Sequence, residues 1–208
     1  MSPIRTIACL ILAAMLATAG HAAEDGFTPL LSGEGLSGWT QAEGWAAEDG
    51  VLKVVGRGGN IYTEKEYENF ELRFEFNMSD GGNSGVFFRR GGLEVQLLDD
   101  YAEKYANLQD WQYNGALYGF AAPSERVSKR PGQWQTMAMR LAGQQLTIIL
   151  NGTTIVDTNL DDHRRGENPH PGLAPGPGRL GFQNYGGAGI ELRHIRIKEL
   201  AGSATTSQ

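Results

Sequence analysis

The stretch from Phe70 to Met78 constrains the fold more than any other. It reads FELRFEFNM, with Phe70, Leu72, Phe74 and Phe76 on one phase and Glu71, Arg73, Glu75 and Asn77 on the other. A period of two fits a half-buried β-strand, because successive side chains of a strand point to opposite faces, whereas a helix would scatter these phenylalanines around its circumference. The polar phase, with Glu71, Arg73 and Glu75, is read as solvated surface.

Shorter pieces repeat the pattern. Trp45 to Val55 holds an Asp-Gly turn before a strand, and Ile61 to Thr63 is a further short strand. Trp134 to Leu141, Gln145 to Leu150 and Thr153 to Asp157 follow, the last two joined by Asn151-Gly152. Asn-Gly between alternating runs predicts a hairpin, because both residues tolerate positive φ. Gly181 to Asn184 is another strand, and Gly189 to Leu200 closes the domain with a shift of apolar phase between Leu192 and Ile195, which predicts a bulge near His194. Glycine, 29 of 208 residues, falls between these runs without a collagen-like period, as a turn-rich all-β domain requires. Two stretches stay irregular: Asp99 to Gln133, which carries Tyr101, Tyr105, Trp111, Tyr113 and Tyr118, and Asp161 to Gly178, rich in Pro and Gly. Long aromatic loops on a β scaffold build binding surfaces, and rings among amides and hydroxyls suit sugars.

Residues 1–23 have the composition of a secretory signal peptide: Arg5, an apolar run from Ile7 to Ala17, then small residues around Gly20 and Ala22. The run is too short to span a bilayer. Periplasmic or secreted localisation is the expectation, with no membrane insertion after the leader is removed. The single cysteine, Cys9, lies in that leader, so the exported chain is expected to use neither disulfide nor thiol chemistry. Residues 24–200 are expected to form one domain, and the Ser- and Thr-rich 201–208 a disordered tail. The net charge of −6 and the scattered Lys and Arg residues give nucleic acid no phosphate-tracking patch. No phosphate loop or dinucleotide fingerprint is present.

The chemistry-bearing stretch is Asn83 to Asp100, NSGVFFRRGGLEVQLLDD. Leu93, Val95 and Leu97 share one phase, so Glu94 and Gln96 project from the other face. Asp99 falls on the apolar phase and joins Glu94 only through a bulge or the strand end.

Several pieces in this order resemble the 3-keto-disaccharide hydrolase domain family: GFTPLLSGEGLSGW at Gly26 to Trp39, WAAEDGVLKV, IYTEKEY, FELRFEF, GNSGVFFR at Gly82 to Arg89, LEVQLLDD, GALYG at Gly115 to Gly119 and the closing IRIKEL. The resemblance spans nearly all of the chain after the leader. It implies a concanavalin A-like jelly-roll sandwich of two antiparallel sheets, with a small carbohydrate held by one sheet and its loops. It also implies cleavage of glycosides already oxidised at C3. The chain departs from the pattern at Arg90-Gly91-Gly92, where a shorter turn is expected.

A C3 ketone acidifies the C2 proton, so a base can create an enolate and the C1 substituent can leave by β-elimination, with water adding afterwards. Such a route needs a base near C2, a donor for the enolate oxygen and a proton source for the leaving oxygen. On that reading Glu94 is the base, Arg89 stabilises the negative oxygen and Asp99 is a second acid or base, a metal ligand or a cap on the following loop. Gln96, Asn83, Tyr118, Gln183 and Trp111 are the candidate substrate contacts. No cofactor is certain. A divalent metal is admissible, and His163 and His170 beside Asp161 and Asp162 are a weak candidate cluster without fixed ligand spacing.

Two alternatives stand beside this one. A conventional glycosidase would pair Glu94 with Asp99, at roughly 5 Å for a retaining mechanism or 6.5–9.5 Å for an inverting one. A non-catalytic carbohydrate-binding module would use the same fold, because fold does not fix function.

Overall fold

A computed structural model describes residues 26–31, 35–40, 43–187 and 189–202. The leader and residues 203–208 of the expected tail lie outside the described residues. Among the described residues thirteen strands follow one another: β1 Thr28–Pro29, β2 Trp39–Thr40, β3 Trp45–Glu48, β4 Val51–Val54, β5 Ile61–Tyr67, β6 Phe70–Met78, β7 Asn83–Phe88, β8 Leu93–Leu98, β9 Gln135–Ala142, β10 Gln145–Leu150, β11 Thr153–Asn159, β12 Gly178–Phe182 and β13 Ile190–Glu199. They form two antiparallel sheets. The eight-stranded sheet runs β11-β10-β9-β6-β13-β4-β3 with β1 added on β13, and the five-stranded sheet runs β2-β5-β12-β7-β8. The fold is an all-β jelly-roll sandwich, as the sequence led us to expect. No helix among the described residues is long and apolar enough to cross a membrane.

The alternating stretch is β6, and it lies in the middle of the larger sheet between β9 and β13. Its apolar phase is buried at every position, from Phe70 to Met78. Burying each phenylalanine contributes about 1.5–3 kcal/mol. Phe74 meets Phe182 of the opposite sheet edge-on, with ring centres 5.5 Å apart, and Trp39 packs against Phe182 at 5.8 Å. These rings join the two sheets. The polar phase of β6 is surface, as read from sequence: Arg73 bonds Glu71 at 2.7 Å and Arg193 bonds Glu75 at 2.8 Å.

Turn chemistry holds as expected. Asn151 and Gly152 carry φ of 51° and 87° and join Leu150 to its partner Thr153. His194, at φ 53°, sits in the register shift between Arg193 and Arg196. Several strand bounds differ from the sequence reading by one or two residues, and two, at β5 and β12, by more. β5 continues four residues past Thr63, because a register shift against β12 suspends the alternation there while Thr63 Oγ1 donates to the Lys65 carbonyl and accepts from the Leu180 amide. β12 correspondingly begins at Gly178, where Arg179 pairs with Glu66.

β8 ends the order of the smaller sheet, so its outer edge needs a cover. Residues 115–118 of the aromatic loop supply it: Gly115 donates to Gln96 O (2.8 Å), Gln96 to Ala116 O (3.0 Å) and Tyr118 to Glu94 O (2.9 Å).

Candidate active site

The outer face of the smaller sheet follows from the β7–β8 register. Phe87 pairs with Glu94, Gly85 with Gln96 and Asn83 with Leu98, while Ser84, Val86 and Phe88 turn inward and are buried. β12 extends these rows: Gly181 pairs with Phe87, and the Gln183 amide donates to Gly85 O at 2.9 Å. Glu94, Gln96, Asn83 and Gln183 therefore surround Gly85, and the cover loop brings Tyr118 to the edge beside Glu94. A β-carbon on Gly85 would collide with the carboxylate oxygen of Glu94. The missing side chain lets that carboxylate lie flat over the sheet.

Glu94 is the one carboxylate contributed by β7, β8 and β12. It is half-buried, and its side chain makes no hydrogen bond or ion pair with another described residue. Burial pushes its pKa up to about 7. A carboxylate with that value changes protonation near neutrality, as a general base should. Gln96 is buried and donates a long hydrogen bond from Nε2 to Asn83 Oδ1, at 3.4 Å. The Gln183 side chain is half-buried and has no bonded partner among the described residues. Tyr118 stands edge-on to Trp111, with ring centres 5.1 Å apart, and its hydroxyl oxygen accepts from Gln112 Nε2 at 3.1 Å. That bond leaves the phenolic proton free to be donated.

Two sequence-derived candidates stand elsewhere. Arg89 takes φ 59° at the hairpin turn and is buried. Its Nη1 donates to Gln144 Oε1 (2.6 Å) and Ala174 O (2.7 Å), and its Nη2 to Gly143 O, so the guanidinium clamps the turn between β9 and β10. Burial lowers its pKa. The expected enolate-stabilising role does not fit a cation whose η nitrogens are spent on the β9–β10 turn and on the Ala174 carbonyl. Asp99 is also buried, with Oδ2 accepting from the Gly81 amide (2.8 Å) and Oδ1 from that of Tyr101 (3.2 Å). Of the roles considered for Asp99, capping the following loop matches this geometry. Both its oxygens are engaged, which takes the basis from a Glu94–Asp99 pair of glycosidase type.

His163 and His170 flank Phe120, with ring centres at 5.8 and 5.9 Å. His163 Nε2 shares a hydrogen bond with Thr158 Oγ1 (2.9 Å), and His170 Nδ1 accepts from the Gly172 amide (3.1 Å). Among the described residues no three His, Cys, Asp or Glu side chains are grouped to hold a metal ion.

The sequence reading missed two residues of this face. Phe87 shares the outward phase with Asn83 and Gly85, and Tyr62 of β5 lies across Gly181 from it; their rings stack at 6.1 Å with an interplanar angle of 23°. The signal was available: in NSGVFF an aromatic residue falls on the phase opposite Val86 and Phe88.

The fold and this face define an all-β jelly roll that presents one half-buried carboxylate with no bonded partner among the described residues. The chain belongs to the family described as 3-keto-alpha-glucoside-1,2-lyase-like domain, whose pattern matches residues 26–198. A crystal structure of a provisionally assigned glycosyl hydrolase from Parabacteroides distasonis is 31% identical with a TM-score of 0.74, covering 84% of this chain and 99% of that one. A 3-keto-disaccharide hydrolase of Bacteroides thetaiotaomicron is 34% identical over 80 residues, which is 31% of this chain and 27% of that protein. The match thus spans about a quarter of that relative's length. The carbohydrate binding module CBM66 from Bacillus subtilis shares the fold alone, at 14% identity and a TM-score of 0.52 over 78% of this chain and 96% of that one.

Proposed function

We propose that this protein cleaves 3-keto-glycosides, 3-keto-disaccharides among them, by elimination followed by hydration, with Glu94 as the base. The observation that carries the reading is the carboxylate of Glu94, held over Gly85 without a partner among the described residues and with its pKa pushed up to about 7. Glu94 takes the proton from C2, and the C–H electrons move toward the C3 carbonyl oxygen to give an enolate. Collapse of the enolate forms the C1–C2 double bond as the C1–O bond breaks, and the leaving oxygen takes a proton. Water then adds across C1–C2.

With both η nitrogens of Arg89 engaged by Gln144, Ala174 and Gly143, the enolate oxygen falls to neutral donors, the side-chain amides of Gln183 and Gln96. Asn83 holds Gln96 in place. Tyr118 is placed to protonate the leaving oxygen, and Trp111 braces it. The family membership supports the substrate class, as does the name of the Bacteroides relative, a 3-keto-disaccharide hydrolase. The leader-like residues 1–23 support export to the periplasm or beyond, which the N-terminal mass of the protein recovered from that compartment tests.

Incubation with a 3-keto-disaccharide and with its unoxidised parent tests the chemistry. The expected result is release of sugar from the keto compound alone, with solvent deuterium entering C2, and loss of both in Glu94→Gln. Cleavage of the parent sugar would sink the keto-specific reading. Binding of the keto compound without release would favour a carbohydrate-binding module.

A further inference from the structure

The same face continues past Glu94 into a cleft of about 550 Å³. Its floor starts at Phe87, directly across the strand pair from Glu94, and passes over Gly181 to Tyr62. Arg90 and Arg179 stand at its rim with Glu66. Neither of these guanidiniums forms a hydrogen bond or ion pair with another described residue.

Gly181 shows that this surface is shaped. Its backbone is not in the left-handed region, so conformation alone does not call for glycine there. Space does: a β-carbon would collide with the Tyr62 ring. Gly85 stands in the same relation to Glu94 one row away. Two glycines on one face thus make room, one for the carboxylate and one for the Tyr62 ring. Phe87 and Tyr62 are half-buried and turned away from the inter-sheet core, where large rings would otherwise gain more from burial.

We infer that the Tyr62–Phe87 platform is the leaving-group subsite, and that it selects glycosides whose leaving group presents a flat ring face, a pyranose or an aryl ring. This rests on the proposed cleavage of 3-keto-glycosides. A keto-sugar ring over Gly85, among Glu94, Gln96 and Gln183, directs its C1 substituent across Phe87. The substituent then stacks on the two rings by its C–H or π face, and Arg90 and Arg179 donate to oxygens at its edge.

The test uses the purified full chain and three 3-keto-glucosides with methyl, benzyl and glucosyl leaving groups, the methyl and benzyl alkoxides being of similar basicity. The wild type is expected to prefer the benzyl and glucosyl compounds to the methyl one by roughly tenfold in kcat/KM, the scale of stacking on two rings. Tyr62→Ala compresses that ratio to about twofold, Tyr62→Phe keeps it, and Arg179→Ala lowers the glucosyl rate more than the benzyl rate. A benzyl preference above glucosyl supports the platform with an aryl ligand, and the reverse supports it with a sugar. Equal rates on all three compounds in the wild type overturn the subsite, whether or not Tyr62→Ala folds, and so does an unchanged ratio in a folded Tyr62→Ala. Cleavage of the methyl compound without ring preference sinks the subsite alone, whereas cleavage of none sinks the underlying reading with it.

Discussion

β6 and β8 are both alternating strands with a carboxylate on the outward phase, yet Glu75 and Glu94 have opposite chemistry. Burial acts to raise the pKa of each. At Glu75 that effect is overcome by hydrogen bonds and charge from His194 (3.0 Å) and Arg193 (2.8 Å), and the net shift is downward. At Glu94 burial acts alone and the pKa rises to about 7. Arg193 also lies 4.0 Å from the centre of the Trp134 ring, so the whole Glu75 group is mutually satisfied. A strand face becomes a reactive site where burial is left uncompensated, not where charged residues are dense.

The sharpest way to break the comparison is to neutralise each carboxylate in turn. Glu94→Gln is expected to lower kcat/KM on a 3-keto-disaccharide by about 10²- to 10⁴-fold, the range of a lost general base, while Glu75→Gln changes it less than about twofold. Comparable losses in both would erase the distinction. Arg89→Ala should cost about 2–4 kcal/mol of stability, measured by denaturant unfolding, because it leaves the Gln144, Ala174 and Gly143 oxygens without their donor.

Gly85→Ala probes the placement of Glu94 rather than its charge. Its β-carbon would push the carboxylate off the sheet. The expected loss in kcat is about 10- to 100-fold, with the acid limb of the pH–rate profile moving down from about 7 as the carboxylate regains water. An unchanged profile would show that the cradle is irrelevant.

Stability separates the two carboxylates in opposite pH windows. Glu94 binds its proton more tightly folded than unfolded, so its contribution is favourable at and below its ordinary pKa of 4.5 and is lost as pH rises to about 7. Water at its exposed edge limits the cost of ionising it to about 2 kcal/mol, so Glu94→Gln should be more stable than wild type by about that much at pH 8 and equal to it near pH 4. Glu75 runs the other way. Its folded pKa is depressed, so its stabilisation is present above 4.5 and is lost as pH falls through the lowered value. Glu75→Gln should cost about 0.5–1 kcal/mol at pH 7, the smallest of these effects, and the difference from wild type should close in acid.

Much of the fold was legible because alternation is a local property. The bounds of β6 and of β10, the Asn151-Gly152 hairpin and the bulge at His194 each follow from the chain's own dihedral preferences and side-chain phase. From alternation the site was legible only as a face, although Asn83, Tyr118, Gln183 and Trp111 already stood as candidate contacts. Glu94 and Gln96 share it because residues two apart in a strand must, and the β7–β8 register brought in Asn83. Gln183 comes from 99 residues beyond Ser84, whose hydroxyl donates to its carbonyl at 2.7 Å, and no local rule predicts that approach.

The sequence by itself determined an alternating all-β chain, its tight turns and the outward phase on which Glu94 stands. Only the tertiary structure decided which charges would be free to react. Arg89 and Glu94 lie in one hairpin and look equally available in the sequence, but Gln144, Ala174 and Gly143 arrive from distant segments to occupy Arg89. No partner reaches Glu94 among the described residues. Phase is set by covalent geometry between neighbours, whereas the protonation and reach of a charge are set by whatever the rest of the chain packs against it.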